Sequence, residues 1–186
     1  MFDIGVPRNG KEIREEWSRL HGEIAAAVDE LDLEEFLAPQ GEHWSPALHI
    51  RHLVTANRAL SRGMSAPRFL LAIRFGVNRK GSRSFEEVRD LYRGALAAGG
   101  MATGPYDPSR RSLDMEPEDL RALVMKRWHA AGSELGRAID SWPETALDRY
   151  QAKHPLLGTM SVRELLYFTL YHNAHHGQRI VERRPS

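Results

Sequence analysis

Apolar residues recur along this chain at steps of three and four, the period of a helix with one buried stripe. Ile13, Trp17, Leu20, Ile24, Val28 and Leu31 predict one amphipathic helix from about Lys11 to Leu37, closed by Pro39-Gln40-Gly41. A second helix begins at Ser45, a good N-cap, with Pro46 at the first helical position, where its missing N–H costs nothing. Ile50, Leu53, Val54 and Leu60 give it a core face, and His49 and His52 lie along the edge of that face. Trp44, just before the cap, is placed to staple the helix entry to the core. The third helix runs from about Pro117 to Asp140, with Leu120, Val124, Trp128, Ala131, Leu135 and Ile139 as its stripe. His129, Gly132 and Gly136 share a neighbouring face, where small residues let another helix come close at about 1 kcal/mol per glycine. Trp142-Pro143 ends that segment. The fourth helix starts at a capping box, Ser161-Val162-Arg163-Glu164, and turns Leu165, Phe168, Thr169, His172, His176 and Ile180 inward.

Between the second and third helices the pattern weakens. Phe69–Ile73 and Phe85–Ala98 each read as a short helix, and Gly99-Gly100 and Gly104-Pro105 as irregular chain. No alternating strand pattern, internal repeat or low-complexity tract stands out. Four long amphipathic helices predict an all-α four-helix bundle. The short first connection makes helices one and two antiparallel neighbours, while the second, about 50 residues, permits a crossover.

Composition adds bounds. The chain has 186 residues, 41% hydrophobic and 27% charged, which suits one soluble domain spanning residues 1–186. A net charge of +1 points neither to nucleic acid nor to a membrane surface. The absence of cysteine removes disulfides, thiolate metal sites and cysteine nucleophiles, and is compatible with the cytoplasm. Met1–Gly10 lacks the apolar run of a signal peptide, and no window approaches the roughly 18 apolar residues of a membrane span. Residues 62–93 hold eight basic side chains against three acidic ones. The plain reading is a solvated face; the sharper one is attraction for an anionic substrate or partner.

His172 and His176 are four apart, so on a helix they stack one turn from each other and can take adjacent positions on one divalent ion. Alone, the pair is equally consistent with a solvated cluster that includes His175, whose side chain is rotated by roughly 100° from His176. A third ligand would come from His21, His43, His49, His52, His129 or His154. His52 is best placed, two turns into a capped helix and beside Leu53 and Val54; its alternative is a buried ring bonded to a backbone carbonyl. His49 is the fallback. His154 sits in a loop at the entrance, and His21 and His129 read as surface or packing residues.

Trp44-Ser45-Pro46 followed by His52-Leu53, then His154-Pro155-Leu156-Leu157-Gly158, then the helix carrying His172, His175 and His176, resembles the DinB-like superfamily of four-helix-bundle proteins. The resemblance runs from the first helix to Ile180 and leaves 62–115 unmatched. It implies a long crossover between helices two and three, and a divalent metal held by three histidines. One ligand comes from the second helix and two from the last; His52, His172 and His176 stand at those positions. Members are similar in fold to metal-dependent thiol transferases and thiol-dependent isomerases, and homodimers are frequent among them. The family name does not imply DNA binding.

Three neutral imidazoles would leave a dication uncompensated, with a position open for water whose pKa it lowers to near 7, for a thiol, or for a carbonyl. The residues between the pair are Asn173, Ala174 and His175, so no HExxH protease motif is present. Asn173 and Gln178 are candidate partners of the ligand rings. Zinc or nickel heads the choice of metal, with iron or manganese behind. The expected function is a metal-dependent transferase or hydrolase acting on a small molecule, with a low-molecular-weight thiol as a further cofactor. The alternative is a non-catalytic, stress-related metal-binding bundle. A third reading, anion or nucleic-acid binding through 62–93, has only the local charge behind it.

Overall fold

The computed structural model describes residues 2–39, 43–110 and 113–182. Gln40 and Gly41, part of the expected break after the first helix, lie outside them. Most of the described chain is helical: α1 (Gly10–Asp29), α2 (Leu33–Leu37), α3 (Pro46–Ser65), α4 (Arg68–Phe75), α5 (Phe85–Ala97), α6 (Pro117–Asp140), α7 (Glu144–Arg149) and α8 (Val162–Val181). No helix among the described residues is long and apolar enough to cross a membrane.

The start signals act as expected. Ser45 Oγ accepts the Leu48 N–H at 3.3 Å, and Ser161 Oγ accepts the Glu164 N–H at 3.1 Å while the Glu164 carboxylate takes the Ser161 N–H at 2.9 Å. One expected helix divides in two. After α1 ends, Asp32 takes the Glu35 N–H at 2.8 Å and Glu35 takes the Asp32 N–H at 2.9 Å, so a second capping box opens α2. Leu31 stays buried at the junction, which is why the apolar period runs through the break without a gap.

The expected adjacency of the first two long helices also fails. α1 packs mainly on α6 and α8, and α3 packs mainly on the same two helices. The connection is not a bare loop: it carries α2, which seats Phe36 in the core and packs on α3 and α6. At the α1–α6 contact the glycine reading holds. A Cβ on Gly132 would overlap the His21 ring, and one on Gly136 would sit 2.8 Å from the Arg14 guanidinium. Trp17 uses the close approach, donating from Nε1 to the Gly132 carbonyl at 3.1 Å.

The weak region contains the two expected short helices, α4 and α5. α5 lies on α8, with Phe85 stacked on Tyr171 at 4.4 Å and Tyr92 edge-on to Phe168 at 5.2 Å. Of the basic side chains of 62–93, Arg62, Arg74, Arg79, Lys80 and Arg93 are exposed and three are engaged. Arg83 donates to Glu164 from its backbone and its guanidinium, Arg68 reaches the Ser141 carbonyl and Arg89 pairs with Asp90.

A two-stranded antiparallel hairpin, β1 (Gln151–His154) and β2 (Gly158–Ser161), adds a small sheet that no alternating pattern had signalled to the otherwise helical chain. Each strand has four residues, too few for an alternating pattern to register, and Gly158 supplies the positive φ of +76° next to the reversal. The hairpin leads directly into the Ser161 cap and so sets where α8 begins.

Candidate metal centre

The site forms where α3 faces α8. Asn57 lies four residues after Leu53, on the same face of α3, and its amide exchanges two 3.1 Å hydrogen bonds with that of Asn173. Asn173 is fully buried and also donates to the Thr169 carbonyl at 2.8 Å. A buried amide pair with its partners satisfied resists rotation of either helix, because a turn would strand both. His172 sits next to this clamp. Asn173 therefore does not bond the ligand rings, as expected of it, but sets the face from which they project. The Oε1 of Gln178 is buried without a partner among the described residues and so does not hold a ring N–H.

His52, His172 and His176 converge. Each offers one ring nitrogen, and these three atoms lie within 4.8 Å of one another. His52 Nε2 and His172 Nε2 are 2.8 Å apart. The other nitrogen of His52, Nδ1, donates to the Tyr106 carbonyl at 2.7 Å, which places the proton there and turns the Nε2 lone pair to the cluster. His52 and His172 are buried, and His176 is half-buried. Burial pushes the His172 and His176 pKa values well below the ordinary imidazole range, and the neighbouring histidines push further. Burial lowers His52 too, against the opposing pull of its bond to Tyr106. Three neutral imidazoles with converging lone pairs are the donor set a divalent ion takes. Tetrahedral ligands at metal–nitrogen distances of 2.0–2.1 Å would stand about 3.3 Å apart, inside the spread seen here. The residues present fit such an ion.

The other candidates separate around this cluster. His49, the fallback ligand, lies behind it: its Nδ1 is 2.8 Å from His176 Nδ1, and its Nε2 has no partner among the described residues. Burial holds its pKa down to about 4. Trp44 does not staple the helix entry to the apolar core. Its ring packs beside His49 and His52, at 5.6 and 5.2 Å between centroids, and stacks on His176 at 6.1 Å. His154 ends β1 rather than sitting in a loop, and its Nδ1 accepts the N–H groups of Leu156 and Leu157, leaving the ring proton on Nε2. It does line the cavity at the cluster, as expected of an entrance residue. His175 is half-buried and lines the same cavity, edge-on to Tyr92 at 6.0 Å. His21 is a packing residue, stacked on Trp128 at 4.3 Å and bonded to its carbonyl at 3.2 Å, and His129 is exposed. His43 is exposed as well.

Two contributors had no place in the sequence reading. Asn57 carried a signal, a polar residue in step with the apolar stripe of α3. Tyr106 carried none, because it acts through a backbone carbonyl set by a 3-10 turn (Gly104–Tyr106), and any side chain there would leave that oxygen in place.

A cavity of about 330 Å³ opens from the histidines, walled largely by Met64, Leu71, Leu96, Leu156, Leu165 and Phe168. No aspartate or glutamate lines it among the described residues. The model of the DinB superfamily matches residues 16–180. No curated protein and no solved structure matches the chain. A family match over nearly the whole length, a range that includes all three histidines, means that the chain belongs to the DinB superfamily.

Proposed function

We propose that the protein is a metal-dependent enzyme acting on a small molecule, with His52, His172 and His176 as ligands of one divalent ion, zinc or nickel before iron or manganese. The observation that carries this reading is the convergence of one nitrogen from each of three neutral imidazoles on the wall of a ligand-sized cavity. In this reading α1, α3, α6 and α8 form a four-helix bundle, and α4 and α5 occupy the crossover between its second and third helices.

A divalent ion held there supplies Lewis acidity and an open position, which suits group transfer from a low-molecular-weight thiol or hydrolysis. The chain's own residues do the rest. The Tyr106 carbonyl orients His52, and the Asn57–Asn173 pair orients His172. Trp44 shields the ring of His176 on one side, and the apolar wall keeps water from the bound molecule. His154 and His175 stand in the lining with nitrogens able to hold or pass a proton.

A second reading, a metal-binding bundle without catalysis, draws on one specific observation: no carboxylate lines the cavity to act as general base. One experiment separates the two. Protein purified without a metal-affinity tag is analysed for metal, then assayed against a panel of small electrophiles and esters with and without added thiols, before and after chelation. The enzyme reading expects close to one metal per chain and turnover that disappears on chelation and returns with the metal. One metal per chain with no turnover across the panel supports the non-catalytic reading. Protein that carries no metal and takes none up contradicts both.

A further inference from the structure

We infer that the cavity takes a small monoanion with an apolar body, its anionic head at the three histidines and its chain along the wall. The inference rests on the metal reading above and goes on to the class of ligand.

The head follows from charge. Three neutral imidazoles leave the whole charge of a dication exposed to whatever fills its open position, and no aspartate or glutamate among the described residues lines the cavity to offset it. Lys153 is the one lysine or arginine in the lining, and it is exposed. A thiolate or a carboxylate is therefore favoured at the inner end, and a cationic group is disfavoured anywhere in the cavity.

The body follows from the wall. Met64, Leu71, Leu96 and Leu165 have no polar side-chain atom to meet a second charge, so a second charge held along them would lose its hydration without replacement; Lys153, the one cation in the lining, is exposed to solvent. Among the polar groups of the lining, the Thr169 hydroxyl is already bonded to the Leu165 carbonyl and His154 Nδ1 to two backbone N–H groups, which leaves neutral donors such as the His154 Nε2–H and, apart from Lys153, no lysine or arginine. The apolar character continues outward. Leu156 and Met101 both line the cavity and are 41% and 78% exposed, and an apolar rim gives a hydrocarbon chain no polar barrier to cross. At about 30 Å³ for each water-sized group, the volume holds roughly ten heavy atoms.

The test is calorimetric titration of the metal-loaded protein with the straight-chain acids from butanoate to decanoate and the matching alkanethiols. Affinity should rise about fourfold with each methylene until the cavity fills. Hexanoate should bind at least about tenfold tighter than adipate, the same chain with a second carboxylate. The two series show whether a thiolate or a carboxylate head is preferred. Ala59→Trp, which narrows the cavity from α3, should flatten the chain-length dependence while metal per chain stays at the wild-type value. Affinity independent of chain length in wild-type protein that carries its metal overturns the inference and leaves the metal reading intact. Failure to load metal at all overturns that reading, and the inference with it.

Discussion

His172→Ala takes the metal content from close to one per chain to near zero and lowers the melting temperature by about 5–10 °C. His172 is 7% exposed and its Nε2 is 2.8 Å from that of His52, while the neighbouring histidines are engaged elsewhere: His175 is edge-on to Tyr92, His154 holds its Nδ1 on the hairpin backbone, and His49 Nδ1 lies against His176. Two remaining imidazoles hold a divalent ion far more weakly than three. An ion present at a hundred times its dissociation constant stabilises the folded state by about 2.7 kcal/mol, and a chain of this size shifts by roughly 2–4 °C per kcal/mol. The measurement is elemental analysis beside thermal melts with and without chelator. Chelator should lower the wild-type melting temperature and leave that of the variant unchanged. A variant that keeps its metal would remove His172 from the ligand set.

Trp17→Ala should cost more stability and leave the site alone. Trp17 is 2% exposed, fills the contact between α1 and α6, and donates from Nε1 to the Gly132 carbonyl. Truncation opens a cavity where Gly132 has no side chain to collapse into it, and removes the indole hydrogen bond to the Gly132 carbonyl. The expected loss is about 3–5 kcal/mol, read as a shift of the urea midpoint at constant slope. Metal per chain at low temperature should match wild type, since α1 supplies none of the three histidines. Taken together, the two variants separate loss of the site from loss of the fold. If Trp17→Ala sheds its metal while still folded, the site depends on the α1–α6 contact in a way the geometry does not show.

What could be read from the sequence follows how local each cause is. α6 begins at Pro117 and ends at Asp140 as expected, because its first proline and its long apolar stripe are local signals. The α8 capping box and the position of His172 and His176 on one face were legible for the same reason. The division between α1 and α2 was not. Asp32 and Glu35 carry the capping signal, but Leu31 and Phe36 keep the apolar rhythm going across it. The hairpin escaped because its pairing joins two four-residue segments, and its strength lies in cross-strand bonds that no single segment displays. α1 and α3 were expected side by side from the shortness of their connection; placing α2 would have required knowing that Phe36 enters the core.

The site divides along the same line. His52 could be chosen over His49 from its depth in α3 and its apolar neighbours, and the structure brings His52, not His49, into the cluster with His172 and His176. The Tyr106 carbonyl that fixes the tautomer of His52 lies 54 residues away in sequence and depends on backbone shape alone. The roof of Trp44 over the rings needed the fold, since a tryptophan before a cap reads equally well as a staple to the core.

The central claim is that one ion is held by one nitrogen from each of three particular rings. The direct measurement is a crystal structure of the metal-loaded protein with anomalous scattering recorded on both sides of the metal's absorption edge. The account predicts a single strong peak per chain at about 2.1 Å from a ring nitrogen of each of His52, His172 and His176. A peak that lies on His49 or His154 in place of one of these, or no peak between the three rings, would contradict it.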